Sequence, residues 1–201
     1  MMRTGFVMST LAAAICTVPA FSGTPSTIDR FEQRYHGMKA IRCTFQDAYG
    51  TSGTLQAVKG GKYRVTLPDR TIVCDGRTVW NVTPSQKNVI INTYRHDAED
   101  LSLERIFFGV MTVYRPALVR DFKNRQTAVI KLLPPADNAR IAGVRSLDIE
   151  LDASMHVRSV NVTDDMSTTK WTITALTLDP AMNASSFTYS VPPGWEAIDL
   201  R

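Results

Sequence analysis

The sequence predicts a mainly β protein of the α+β class, built on an antiparallel sheet large enough to curl and covered on one side by a few helices. Three observations carry that prediction. From Ile41 to Arg95, and again from Thr127 to Val191, apolar and polar residues alternate in short runs broken by Gly, Pro, Asp and Ser, the two-residue period of strands. Helical spacing is confined to one segment near the start and a region near the middle. The breaks between strands are short, so successive strands should pair with their sequence neighbours as a meander, and a sheet of this many strands curls or closes.

The first helix begins after Ser26 or Thr27, whose oxygen can accept a hydrogen bond from an unpaired first-turn amide. Ile28, Phe31, Tyr35 and Met38 recur at helical spacing, with Glu32, Gln33 and Arg34 outside and Gly37 as the stop. The strand region follows. Tyr63, Val65 and Leu67 fall on one face of a strand, and Lys62, Arg64 and Thr66 on the other. Gly60-Gly61 supplies the positive backbone angles of a tight hairpin, and Asp75-Gly76 reads as a second such turn. Pro68-Asp69 and Thr83-Pro84-Ser85 mark further reversals.

Mid-chain, Leu103, Ile106, Phe107 and Val110 occupy the i, i+3, i+4, i+7 positions of one apolar stripe, with Asp100 or Ser102 as its cap. A second short helix is expected over about Pro116 to Phe122, with the proline in the first turn. Thr127 to Leu133 is a strand closed by Pro134-Pro135. Leu147, Ile149 and Leu151 alternate with Asp148, Glu150 and Asp152, so one face of that strand meets water. Val157 to Val162 and Lys170 to Leu178 are further strands, and Phe187, Tyr189 and Val191 predict a last one before Pro192-Pro193-Gly194.

The segment 1–22 has the layout of a secretory signal peptide: Arg3, an apolar run from Gly5 to Ile15, and small residues ending at Val18-Pro19-Ala20. Its apolar run is shorter than the ~20 residues of a spanning helix. Residues 23–201 then form one domain, within the ordinary size of a single folding unit. Ile15 stands where a lipoprotein signal wants a small residue before Cys16, which argues against a lipid anchor there. Cys43 and Cys74 fall on predicted strands, either as a disulfide or as two buried thiols.

The net charge of +4 is spread along the chain with no basic run or stripe, so nucleic acid is not a predicted partner. His36, His96 and His156 lack the spacing of metal ligands. No nucleophile elbow, phosphate-binding loop or dinucleotide fingerprint occurs. Asp164-Asp165, an adjacent carboxylate pair, precedes Ser167-Thr168-Thr169 and reads as a turn. No catalytic residue, metal or cofactor is expected, and the chain is not read as an enzyme.

The ordered set of motifs carries a resemblance. Phe45-Gln46 is followed by Gly53 and Leu55, Lys62-Tyr63-Arg64, and Asp75-Gly76-Arg77-Thr78-Val79-Trp80. Then come Leu103 to Gly109, and Phe187-Thr188-Tyr189 with Pro192-Pro193-Gly194. Each motif alone is common; in this order and spacing they resemble the periplasmic outer-membrane lipoprotein carriers of the LolA type. The resemblance implies an incomplete antiparallel β-barrel, a half-barrel with a helical lid over an apolar cavity. It implies a monomeric periplasmic shuttle that takes acylated lipoproteins from an inner-membrane exporter to an outer-membrane acceptor.

By periodicity alone Tyr63, Val65, Leu67, Trp80, Trp171 and Ile173 are core candidates, as is the mid-chain stripe. The resemblance makes Tyr63, Val65, Leu67 and Trp80 the sheet side of a lipid cavity, Leu103, Ile106 and Phe107 its lid side, and Lys59 a polar latch. Two departures bear on this. Lys59-Gly60 stands where the family carries Arg-Pro, and lysine lacks the planar fork of arginine. Val65 stands where the family usually has an aromatic residue. Two alternatives therefore stay open: a free-lipid or glycolipid carrier of another export system, and a non-enzymatic sensor or scaffold half-barrel that binds a protein.

Overall fold

The computed structural model describes residues 25–95, 102–122 and 126–201. The predicted signal segment 1–22, with Cys16, lies outside the described residues, as do His96 and Asp100.

Among the described residues, twelve strands form one open, mixed sheet in the order β12-β6-β5-β4-β3-β2-β1-β11-β10-β9-β8-β7. The first six, β1 (Ala40–Asp47), β2 (Ser52–Val58), β3 (Lys62–Thr66), β4 (Thr71–Asp75), β5 (Thr78–Thr83) and β6 (Asn88–Thr93), are the predicted meander. After the mid-chain helical segment come β7 (Arg115–Arg120), β8 (Thr127–Leu133), β9 (Ser146–Asp152), β10 (Val157–Thr163) and β11 (Thr168–Leu178). β11 closes the two halves by pairing antiparallel with β1. Because β7 and β12 (Glu196–Asp199) lie at opposite edges and do not pair, the sheet stays unclosed, as a half-barrel does.

The turns form where the backbone can adopt them. Gly60 and Gly61 sit at φ +105° and +82° between β2 and β3. Between β4 and β5, Asp75 Oδ1 accepts the amides of Arg77 and Thr78, each at 2.8 Å, so one side chain holds the reversal.

Helix α1 (Thr27–Tyr35) is capped by Ser26, whose Oγ accepts from the Asp29 amide while the Asp29 carboxylate accepts from the Ser26 amide, a reciprocal capping box. Its Phe31 and Tyr35, with Met38 beyond its end, are buried against the sheet. The mid-chain segment is helical over 103–113. It comprises α2 (Leu103–Arg105), capped by the Ser102 hydroxyl, a π-helical turn Ile106–Val110, and α3 (Met111–Val113).

Two predictions are corrected. Residues 115–120 are a strand and not a helix: Pro116, on the edge strand β7, faces Leu132 of β8, and at an edge a missing backbone N–H is tolerated. Phe187, Tyr189 and Val191 are not a strand either. Ala184–Phe187 is a 3₁₀ turn, and the true last strand is β12, parallel to β6. Tyr189, Val191 and Trp195 instead lie across the outer face of the sheet, so their alternation reflects packing on a sheet and not pairing within it.

The main core sits between the inner face of the half-barrel, α1 and residues 103–113. It draws Ile41, Cys43, Leu55, Ile130, Ile149 and Val160 from the sheet and Ile106, Phe107, Val110 and Met111 from the helical segment. A second, smaller cluster of Val82, Val89 and Ile91, with Trp80, Tyr189, Val191 and Trp195, lies on the outer face. Arg64 joins the C-terminal segment to that face, donating from Nε to the Ser186 carbonyl at 2.7 Å and from Nη2 to that of Thr188 at 3.3 Å.

Candidate functional site

Strand register decides which side chains share the concave face. Ala57 faces Tyr63 and Leu55 faces Val65 across β2–β3. Tyr63 faces Cys74 and Val65 faces Ile72 across β3–β4. Side chains opposite each other in a ladder lie on one side of the sheet, so Tyr63, Val65 and Leu67 line the inner face with Leu55 and Ala57. All three pack, partly buried, against the main core. Leu103, Ile106 and Phe107 belong to the same core at 6%, 0% and 0% exposure. The fold therefore brings these six predicted residues together, sheet side against helix side.

Trp80 is the exception. It faces Val73 on β4 and Ile91 on β6, and Val73 precedes Cys74, so Trp80 points to the opposite side from Tyr63. Its neighbours are those of the outer cluster. The expectation that it lines the cavity is corrected: β5 presents Val79 and Asn81 inward and Trp80 and Val82 outward, so its more apolar face is the one covered by the C-terminal segment.

Two clefts flank residues 103–113. The first, about 650 Å³, is bordered by the Lys59–Gly61 turn, Phe108, Val113, Arg140 and Ile141. The second, about 510 Å³, lies over the inner face of β3–β6 at Tyr63, Val65, Ile72, Val79, Asn81 and Asn92. Both are in the size range of small-molecule sites, ~300–1,000 Å³. They share Tyr94, Glu104 and Arg105. Lys59 stands on the rim of the first cleft, fixed by its amide, which donates to the Lys39 carbonyl at 2.8 Å.

Tyr94 closes the hairpin end of this site. Its ring meets Tyr63 edge-on with centroids 6.4 Å apart, and it lies so close over Gly61 that a Cβ there would come within 2.7 Å of Cε1. At the other end, the Tyr114 hydroxyl donates to the Val144 carbonyl at 2.6 Å and accepts the Ile141 amide at 3.1 Å, which ties the end of the helical segment to the loop before β9.

Glu104 and Tyr94, which border both clefts, are among the site residues that sequence reading did not nominate. Glu104 is 4% exposed, and burial pushes its pKa up to about 7, against a smaller opposing effect of Arg105. Its position gives no signal, because an acid in the first turn of a helix is ordinarily a solvated partner of the helix dipole. Cys43 and Cys74 are free thiols, buried on the inner face; burial pushes them up to about 12 and about 11. They sit on strands three places apart in the sheet, ~14 Å at the usual spacing, far beyond the reach of a disulfide.

Among the described residues, no cluster of three or more His, Cys, Asp or Glu is placed to hold a metal, and no helix is long and apolar enough to cross a membrane.

Comparison with known proteins places these features in a family. A search of curated sequences finds no match. An uncharacterized conserved protein from Thermus thermophilus is similar in structure, with a TM-score of 0.50 and 12% identity over 86% of this chain and 96% of that one. At such identity the likeness concerns the fold alone. A domain from Vibrio parahaemolyticus described as an outer membrane lipoprotein-sorting protein matches with a TM-score of 0.41 and 11% identity, over 79% of this chain and 94% of that one. Residues 38–190 match the family model described as outer membrane lipoprotein carrier protein LolA. That span runs from the end of α1 through both halves of the sheet, the helical segment and both clefts, and so the chain belongs to the LolA family of non-enzymatic lipoprotein carriers.

Proposed function

We propose that this protein is a monomeric periplasmic carrier that holds the acyl chains of lipoproteins and moves them from an inner-membrane exporter to an outer-membrane acceptor. The observation that supports this reading most is the shared apolar cluster of Leu103, Ile106 and Phe107 with Tyr63, Val65 and Leu67. Each methylene of an acyl chain gains about 0.8 kcal/mol by leaving water, so a multiply acylated protein cannot cross an aqueous space alone. A carrier must match that gain and still release. A lid that fills the concave face with its own side chains does so, because cargo chains that displace it exchange one apolar contact for another.

In this reading Tyr63, Val65 and Leu67 form the sheet side of the cargo site and residues 103–113 its lid, with Lys59 on the rim as the latch. A lysine latch supplies one point charge where the family's arginine supplies a planar fork, so the lid is held less tightly. That same substitution favours, as a second reading, a free lipid or glycolipid as cargo.

Native mass spectrometry with lipid extraction, on protein purified from the periplasm without detergent, tests the proposal. Co-purifying acylated peptide or lipoprotein supports the lipoprotein carrier, and free lipid alone supports the second reading. Neither, together with no uptake of added acylated peptide, overturns both and leaves a half-barrel that binds a protein partner.

A further inference from the structure

Of the buried charged and polar residues among those described, Glu104 alone carries a carboxyl group. Its Oε2 has no hydrogen-bond partner among the described residues. A buried acceptor without a donor is costly, and more so when charged. Burial drives its pKa up to about 7, as that cost requires. The position of Glu104 gives this a context: it borders both clefts, which also share Tyr94 and Arg105.

A ligand occupying both clefts would therefore be forked, with its branch point against Glu104. The chemistry of that branch point follows from the surroundings. Arg105 adjoins Glu104, and Lys59 and Arg140 border the first cleft. Arg140 is paired with Asp137 and Asp165, but a ligand cation would still meet the positive charges of Arg105 and Lys59, whereas a neutral N–H or O–H would satisfy the carboxyl oxygen without repulsion.

We propose that Glu104 is the polar recognition point of the cargo site, accepting a hydrogen bond from a neutral donor, such as a secondary amide, at the branch of an amphiphile whose acyl chains enter the two clefts. This rests on the carrier reading and adds to it a requirement on the cargo's junction, not on its chains. The oxygen is buried at the start of the helical segment. A cargo donor that reaches this oxygen from the clefts supplies the missing hydrogen bond, so loading relieves the cost of burying the carboxyl without a partner.

The test uses the full chain and three synthetic probes with identical pairs of acyl chains: an N-acylated lipopeptide with a secondary amide at the branch, its N-methyl analogue, and a dialkyl ammonium. Affinities are read by displacement of a fluorescent fatty-chain probe. The wild type is expected to bind the secondary amide about tenfold more tightly than the N-methyl analogue, and the ammonium no better than the latter. Glu104→Leu should bind both amides equally, while Glu104→Gln, whose carbonyl still accepts, should keep the preference. Equal binding of both amides by the wild type, or a preference that survives in Glu104→Leu, overturns the proposal. Tighter binding of the ammonium overturns it in favour of a cationic cargo. Binding of none of the probes by the wild type removes the carrier reading itself.

Discussion

The Tyr35 hydroxyl donates to the Met155 carbonyl at 2.9 Å and accepts the Val157 amide at 3.2 Å. One side chain of α1 thereby satisfies two backbone groups in the turn between β9 and β10. The turn needs the help: Met155 adopts φ +63°, in a region that favours glycine, and Tyr35 is buried at 1% exposure. Tyr35→Phe should lower stability by about 1–3 kcal/mol, the cost of leaving buried polar groups unpaired, with an unchanged dependence on denaturant. Urea unfolding measures this, and a change under ~0.5 kcal/mol would show that the bond pair is not what pins α1.

Glu104 makes stability depend on pH in a direction opposite to that of most carboxylates. Its pKa is raised from 4.5 to about 7, so the folded chain keeps a proton that the unfolded chain has lost. Stability is therefore greatest below about pH 4.5 as far as this group is concerned, falls as pH rises towards 7, and is level above. The full effect is about 3 kcal/mol. The difference in stability between wild type and Glu104→Gln, followed from pH 4.5 to 8, isolates it from the other carboxylates; a difference that does not vary with pH would refute the assignment.

Gly60 and Gly61 separate two reasons for glycine in one hairpin. Both have positive φ, but a Cβ at Gly60 meets nothing within 4 Å while one at Gly61 meets the Tyr94 ring. Gly60→Ala should cost about 1 kcal/mol from the backbone alone. Gly61→Ala should cost at least ~1 kcal/mol more, from the displaced ring. Equal losses in thermal unfolding would mean that Tyr94 moves aside freely.

Trp80 and Val65 test which face of the sheet receives cargo. Trp80→Ala should destabilise the chain by about 2 kcal/mol, less than a fully buried tryptophan would, and leave the affinity for an acylated probe within twofold. Val65→Asp puts a charge on the inner face and should weaken that affinity at least tenfold. The reverse pattern would place the cargo on the outer face.

Cys43 and Cys74 should stay unreactive towards a thiol reagent in the native protein, since only the thiolate attacks and burial suppresses it. Both should react as the chain unfolds in denaturant, and reduction should leave the intact mass unchanged. A gain of two mass units on reduction, the mark of a disulfide opening, would contradict the strand spacing.

Much of this architecture was legible in the chain. Strict alternation at Leu147, Ile149 and Leu151 marks β9 because its other face meets water, and Ser26, Gly60-Gly61 and Asp75-Gly76 mark their turns because those backbones need those residues. The errors share one cause. Residues 115–120 and 187–191 carry ambiguous patterns whose meaning depends on what lies beside them: an edge position that tolerates Pro116 in the first case, a sheet face beneath Tyr189 and Val191 in the second. The union of Tyr63, Val65 and Leu67 with Leu103, Ile106 and Phe107 was expected from the family resemblance; periodicity alone put each set on one apolar stripe and marked it as core.

By itself, the sequence determined the class of fold, the hairpin turns and the side chains that share a face, since those follow from local backbone preference and from periods of 2 and 3.6 residues. Only the tertiary structure decided which face of β5 turns inward, that the last strand runs parallel to β6, and that Glu104 is buried on the border of two clefts. Periodicity groups residues into faces without saying what covers each face. Where both faces are covered, as at Trp80, or where a charge is enclosed by strands distant in the chain, as at Glu104, the answer lies in contacts that no local pattern records.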